Sequence, residues 1–346
     1  MKKTRLFYRV SGILALLTCI LAFAGTDTPV KFNAPRGWPK PRYDFSNNPL
    51  TLHGFELGRE LFYDPFLSSD SSTSCSSCHL SFTAFTHADH KLSHGIQGLV
   101  GTRNSPVLIN LAWNTSFMWD GGVNNLEVQA INPLTNPVEM NSKLEDVINK
   151  LQRTAKYRKL FYRAFNDSII TSKRLLKALA QFTGNLVSCN SKYDSVMRHE
   201  RDVHFTAREE NGYELFKKNC ATCHREPLFT NNKFENIGLP LDSVLRDVGR
   251  MKVTNDPADS LTFKVPTLRN VEYSAPYFHD GRVNKLKDVI DHYTTGIVES
   301  RTLSKELRRK IILSHDEQKD LLVFLKTLTD KSFLYNVQFR QNRVPD

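Results

Sequence analysis

Long apolar runs are nearly missing from this chain of 346 residues. The prominent one, Ile13 to Ala24, holds twelve residues and follows a basic start of Lys2, Lys3, Arg5 and Arg9. Twelve is too few to span a bilayer comfortably. The pattern is that of a secretory signal, with Ala22-Phe23-Ala24 as a small-x-small cleavage site before Gly25. Acylation at Cys19 is a rival, though Thr18 before it fits poorly, and an uncleaved anchor is the third option. We expect cleavage after Ala24 and a soluble periplasmic protein. Alternating apolar–polar stretches are scarce too, which argues against a sheet-built fold. No segment resembles a nucleic-acid module. Cysteine is sparse: of six, Cys19 leaves with the signal and four form two C-x-x-C pairs, so Cys189 stands alone. No intramolecular disulfide is then available, and a buried, inert thiol is the natural role of Cys189.

What is present is concentrated in Cys75-Ser76-Ser77-Cys78-His79 and Cys220-Ala221-Thr222-Cys223-His224. Each is a C-x-x-C-H, the attachment signature of a c-type haem. Two sulfurs at this spacing reach the two vinyl groups of one porphyrin, and the adjacent histidine supplies an axial nitrogen to iron. A redox dithiol or half a zinc site could use C-x-x-C alone. A zinc finger needs both pairs close together, and a thioredoxin-like site needs a βαβ context. Here the motifs are far apart, both carry the histidine and both follow an export signal. Two covalently bound haem c groups are the reading. The charge of +11 (47 Lys and Arg against 36 Asp and Glu) is partly carried by the signal segment; the rest is scattered, with runs such as Arg308-Arg309-Lys310. It forms a solvated basic surface, or docks an acidic electron donor or protein substrate.

The chain repeats itself. Gly58-Arg-Glu-Leu-Phe62 precedes the first motif and Gly212-Tyr-Glu-Leu-Phe216 the second. The stretch from Asn110 to Asn124 aligns without a gap on Asn270 to Asn284, which sets Trp119 against His279. Periodicity predicts helix nearly throughout: Leu144, Val147, Ile148 and Leu151 share one face, as do Leu175, Leu176, Leu179 and Phe182. Ser314 and Glu317 form a capping-box pattern. The expected fold is all-α: two cytochrome c-type haem domains related by an internal repeat, with long loops and little strand. Residues 25–47 would be an extended arm, 48–195 the first haem domain, and 196–346 the second, with a tail packing back on the first.

An iron with one histidine needs its sixth position explained. After His279-Asp-Gly, residues Leu286, Val289, Ile290 and Tyr293 share a helical face, so Tyr293 points inward as a core residue or a ligand. His292 is offset by about 100° and leaves that stripe. For the first haem, His87, His90 and His94 crowd the loop after His79, and each could ligate or sit at the surface.

The stretches 75–79, Gly101-Thr-Arg-Asn-Ser-Pro106, Met118-Trp-Asp-Gly121, Pro137-Val-Glu-Met140, 220–224, Val265-Pro-Thr-Leu-Arg-Asn270 and Ala275-Pro-Tyr-Phe-His-Asp-Gly281 resemble the bacterial di-haem cytochrome c peroxidases, a family that includes MauG. The likeness runs from about Asn48 to Leu328. It implies that the haem held by His79 is the peroxidatic one, where hydrogen peroxide binds, and that Glu139 is the distal proton shuttle. Unaided, Glu139 reads as an exposed carboxylate and Trp119 as core. By resemblance Trp119 is the relay between the haems. Asn104, with the backbone carbonyls of Ser274 and Pro276, would hold one calcium ion, a hard cation suited to oxygen ligands.

Two departures matter. The typical peroxidases have methionine fourteen residues after the His-Asp-Gly histidine; this chain has Tyr293 there, as MauG does. A phenolate is a hard, anionic donor that favours ferric iron. Peroxidases that need reductive activation place a histidine before a glycine over the first haem. His94-Gly95 resembles that pair, but the segment from Gly95 to Arg103 is two residues longer than the pattern. His94 then either caps the resting iron or lines the loop. The implied enzyme reduces peroxide to water with electrons from a small donor such as a cytochrome c or cupredoxin, or oxidises a protein or small molecule as MauG does. A pure electron carrier or redox sensor is the non-catalytic rival, and a homodimer is compatible with all three.

Overall fold

The computed structural model describes residues 29–341, so the expected signal peptide lies outside the described residues. Among these no helix is long and apolar enough to cross a membrane. The α-helices are α1 (Leu52–Tyr63), α2 (Ile131–Thr135), α3 (Leu144–Arg153), α4 (Ala155–Phe165), α5 (Ser172–Gly184) and α6 (Lys192–Met197). They continue with α7 (Ala207–Asn219), α8 (Met251–Thr254), α9 (Leu286–Asp291), α10 (His315–Lys326) and α11 (Lys331–Leu334). Among the described residues, strand is confined to β1 (Phe234–Glu235) and β2 (Phe263–Lys264), antiparallel, with Phe234 opposite Lys264.

The stripes predicted from the sequence fall where expected: Val147 and Leu151 are buried on α3, and Leu175, Leu176, Leu179 and Phe182 on α5. Ser314 and Glu317 close their capping box at the start of α10, and Thr206 and Glu209 do the same for α7. The prediction of helix nearly throughout needs correction. Loops and single 3₁₀ turns fill much of the space between helices, because the chain there repeatedly enters left-handed backbone, as at Asn110, Met118, Asn270 and Phe278.

Each half is built on one crossing of two helices, α1 with α5 and α7 with α10. Gly58 and Gly212 sit at these crossings. A Cβ on Gly58 would strike the Ala178 carbonyl and Phe182, and one on Gly212 the Asp320 carbonyl and Phe324. That is why both repeats begin with glycine. Leu57, Phe62, Phe85 and Phe182 lie in one core; Phe216, Phe229, Ile290 and Phe324 lie in the other. Phe333, Leu334 and Phe339 belong to the first core, and the Tyr63 hydroxyl donates to the Phe339 carbonyl at 2.8 Å. The arm is tied down as well: Trp113 Nε1 donates to the Pro39 carbonyl at 2.7 Å, and the Arg269 guanidinium lies 4.5 Å from the Trp38 ring.

Arg269 is fully buried and forks onto both oxygens of Asp194 at 2.8 Å each. Burial works against the Asp194 charge, but the hydrogen bonds and charge of Arg269 hold its carboxyl below the usual range. This stability is present above the ordinary carboxylate pKa and is lost as pH falls through the depressed one. Replacing Arg269 with Leu strands a buried carboxylate and should cost about 3–5 kcal/mol, read as a lowered denaturation midpoint. A variant as stable as the parent would mean that Asp194 finds another partner.

Candidate haem centres

Both motifs fold as tight turns that bring the histidine back over the first cysteine. The His79 N–H donates to the Cys75 carbonyl at 3.0 Å, and that of His224 to the Cys220 carbonyl at 2.9 Å. His79 Nδ1 lies 2.6 Å from the Phe85 carbonyl; His224 Nδ1 lies 3.2 Å from those of Phe229 and Pro266. Carbonyls only accept, so Nδ1 carries the hydrogen and Nε2 keeps a lone pair for a metal. Burial pushes both imidazoles down to about 4, which keeps them neutral. The fully buried Phe85 and Phe229 hold left-handed backbone, at φ 58 and 54, and so turn their carbonyls to the imidazoles. Burial pushes the Cys75 and Cys220 thiols up to about 12, opposite to a reactive dithiol. Among the described residues no group of three or more His, Cys, Asp and Glu side chains gathers to hold zinc.

The second motif opens on a cavity of about 610 Å³ lined by Cys220, Cys223, His224, Leu286, Ile290 and Tyr293. That volume and its apolar walls suit a large planar group. The α-helical stripe does not continue to Tyr293 as drawn from the sequence: α9 ends at Asp291 and a π turn covers His292–Gly296. The wider turn still delivers Tyr293 to the cavity, while His292 turns away to within 2.9 Å of the Ile237 carbonyl. Among the described residues the Tyr293 hydroxyl has no hydrogen-bond partner. Burial raises its phenol, so a phenolate there needs a metal beside it.

Near the first motif stands Glu139, whose charge raises both the Cys75 and the Cys78 thiol. It is half-buried, not the exposed carboxylate that local sequence suggests. Burial raises its pKa, partly offset by Asn136 Nδ2, which donates to Oε1 at 2.7 Å. Gly95 packs directly on this stretch: a Cβ there would strike the backbone of Val138 and Glu139. The Ile96 N–H donates to the Glu139 carbonyl at 2.8 Å. The loop of His94 is thereby fastened to the loop of Glu139. The His94 ring lies 4.4 Å from His90 and 6.0 Å from His87, and its carbonyl oxygen is 3.1 Å from the Cys78 sulfur. All three histidines are therefore gathered beside the first attachment point.

Between the two sites the repeat becomes a pseudo-twofold junction. The Asn104 N–H donates to the His279 carbonyl at 2.7 Å, and the Lys264 N–H donates to the Trp119 carbonyl at 2.7 Å. These bonds exchange under the register that sets Trp119 against His279, since it also sets Asn104 against Lys264. Trp119 Nε1 donates to the Asn104 carbonyl at 2.8 Å, and Trp119 borders the cavity of the second motif. Asn104 Nδ2 donates to the Pro276 carbonyl at 2.6 Å, while its buried Oδ1 has no partner. Ser274 and Pro276 border the same cavity. Arg103 adds a clamp, pairing with Asp247 at 2.6 Å and Asp120 at 2.5 Å. Burial opposes the Asp247 charge, yet Arg103 holds its carboxyl well below the usual range. Sequence reasoning missed Lys264, Asn136 and the two phenylalanine carbonyls. Extending the repeat six residues upstream from Asn270 would have singled out Lys264.

Comparison with known proteins agrees with this arrangement. A family profile described as di-haem cytochrome c peroxidase matches residues 53–202, and one described as cytochrome c matches residues 209–329. The methylamine utilization protein MauG of Methylophilus methylotrophus is 35% identical, over 86% of this chain and 88% of that protein. The cytochrome c551 peroxidase of Nitrosomonas europaea is also 35% identical, over 79% of each chain. A solved structure of a MauG-like protein associated with microbial copper homeostasis superposes with a TM-score of 0.83 at 32% identity, covering 90% of this chain and 99% of that one. With two haem-binding halves joined through Asn104, Trp119, Lys264 and His279, this chain belongs to the di-haem cytochrome c peroxidase family that includes MauG.

Proposed function

We propose that the protein is a periplasmic enzyme that consumes hydrogen peroxide at the site of His79, drawing the electrons from an external donor. The observation that carries this reading is the half-buried Glu139 carboxylate, its pKa raised by burial, beside Cys75 and Cys78. A plain electron carrier has no use for a half-buried proton acceptor at that place. When bound, each haem supplies an iron that exchanges single electrons and, where an axial position is open, a place for peroxide. Glu139 takes the proton from the near peroxide oxygen and delivers it to the far one, so that water can leave. Asn136 holds the carboxylate toward the site. Trp119 carries electrons between the two centres, held by its bond to Asn104 and by the Lys264 N–H on its carbonyl. His79 and His224 would each hold a haem iron through Nε2, and Tyr293 would add a phenolate oxygen to the second iron.

The orphaned Asn104 Oδ1 supports a calcium site that would stiffen the junction, with the Ser274 carbonyl as a further ligand and that of Pro276 joining once it is released from Asn104 Nδ2. Tyr293 favours a second reading as well. A phenolate-ligated iron is a poor store for an electron from a high-potential cytochrome and a good store for an oxidising equivalent. The donor would then be a protein or small-molecule substrate that becomes oxidised, the MauG-like case.

Low-temperature EPR of the isolated ferric protein, with one stoichiometric addition of peroxide, tests the reading. One high-spin and one low-spin signal with immediate reaction is the expected result, and it means that His94 does not cap the resting iron. Two low-spin signals with no reaction until one electron is added would mean that His94 caps it and that reduction opens the site. No reaction in either state sinks the peroxide reading.

A further inference from the structure

Among the described residues, Lys264 is a cation with no counter-ion in contact. It lies on β2 and lines the cavity that holds Cys220, His224 and Tyr293. Among the described residues no carboxylate or hydrogen-bond acceptor pairs with its ammonium. Four carboxylates border the same cavity, Glu235, Asp242, Asp247 and Glu306, and none of them pairs with the Lys264 ammonium. Arg103 and Lys252 neutralise Asp247, Arg282 is paired with Asp280, and Glu235 accepts from the Ser304 hydroxyl. Burial alone acts on Lys264 and pushes it down to about 8. Lys264 is half-buried and faces the cavity, and an unpaired ammonium in an apolar-walled recess is normally matched by a charge of opposite sign. Its partner in the repeat is the neutral Asn104, so the two halves differ by one built-in positive charge at equivalent places.

We propose that Lys264 is a positioning residue for the second haem: its ammonium holds a propionate carboxylate of that haem inside the cavity and raises the haem's reduction potential. The anion that Lys264 lacks is the one that a haem brings. A fixed cation beside the porphyrin disfavours the more positive ferric state and so favours reduction. Together with Tyr293, which acts in the opposite direction, Lys264 sets where the second haem is poised. The same residue joins the haem to the relay, because its N–H is bonded to the Trp119 carbonyl. This inference rests on haem attachment at Cys220 and Cys223 and not on the peroxide reading.

The test is a potentiometric titration of both haems, followed optically, in the holoprotein and in Lys264→Met, Lys264→Gln and Lys264→Arg. Lys264→Met should lower the potential of the second haem and leave the first unchanged. Lys264→Gln keeps a polar end without charge and should give the same lowering, which covers the case in which Lys264→Met fails to load haem. Lys264→Arg should restore the parent value. A second-haem potential unchanged in Lys264→Gln, or an equal shift of both haems, overturns the assignment. Since no peroxide is added, the outcome does not depend on whether the protein turns peroxide over.

Discussion

Replacing Glu139 with Gln should cut peroxide turnover by roughly 10²- to 10⁴-fold, the usual contribution of a positioned proton-transfer group, while both haems remain attached. The two side chains have nearly the same shape, and Asn136 Nδ2 can still donate to the amide oxygen as it does to Glu139 Oε1. Only the ability to accept and return a proton is removed. The pH dependence gives a second readout. The shuttle must begin ionised to take its proton from peroxide, so activity should fall as pH drops through the Glu139 pKa. Burial raises that pKa, so the acid limb should lie above the ordinary carboxylate range. Single-turnover kinetics with peroxide, alongside the haem absorbance, would read both effects. Full activity in the variant would remove Glu139 from the mechanism.

The second large effect is expected at Tyr293. Exchanging it for Met should raise the potential of the second haem by a substantial share of the roughly 0.8 V that axial ligands span. The physical reason is ligand character: a thioether is soft and neutral and suits ferrous iron, whereas a phenolate is hard and anionic and suits ferric. Met is flexible enough to fill the space beside Leu286 and Ile290 without opening a large void. The variant should become reducible by a high-potential donor protein and should hold an oxidising equivalent less well. Spectroelectrochemistry of the second haem would measure the shift, and an unchanged potential would mean that Tyr293 is packing and not a ligand. Comparing this shift with that of Lys264→Gln would separate the ligand from the buried charge.

Much of the protein was legible from residues alone. Two C-x-x-C-H motifs announce covalent haem because the chemistry of thioether attachment is local. Five consecutive residues supply both sulfurs and the axial nitrogen, whatever the rest of the chain does. Helical stripes such as that of Leu175 to Phe182 are legible for the same reason, since 3.6-residue periodicity is a property of one segment. The repeat is legible as well, because Asn110 and Asn270 mark the same left-handed turn in each half.

What the tertiary structure alone decided involves groups brought together from distant segments. Glu139 reads as a surface carboxylate, yet the loop of His94 and Gly95 packs on its backbone and its side chain is half-buried. Tyr293 reaches its cavity through a π turn that no periodicity in the sequence foretells. The orphaned Asn104 Oδ1 and the unpaired Lys264 ammonium exist as facts only once both halves are docked. A spacing rule reports which atoms one segment can present. Desolvation and charge pairing depend on every neighbour at once, and the neighbours here come from both ends of the repeat. The sequence determined that this chain carries two haem-attachment motifs in related helical halves; folding decided which carboxylate is drawn half out of water and which lysine faces the cavity without a partner.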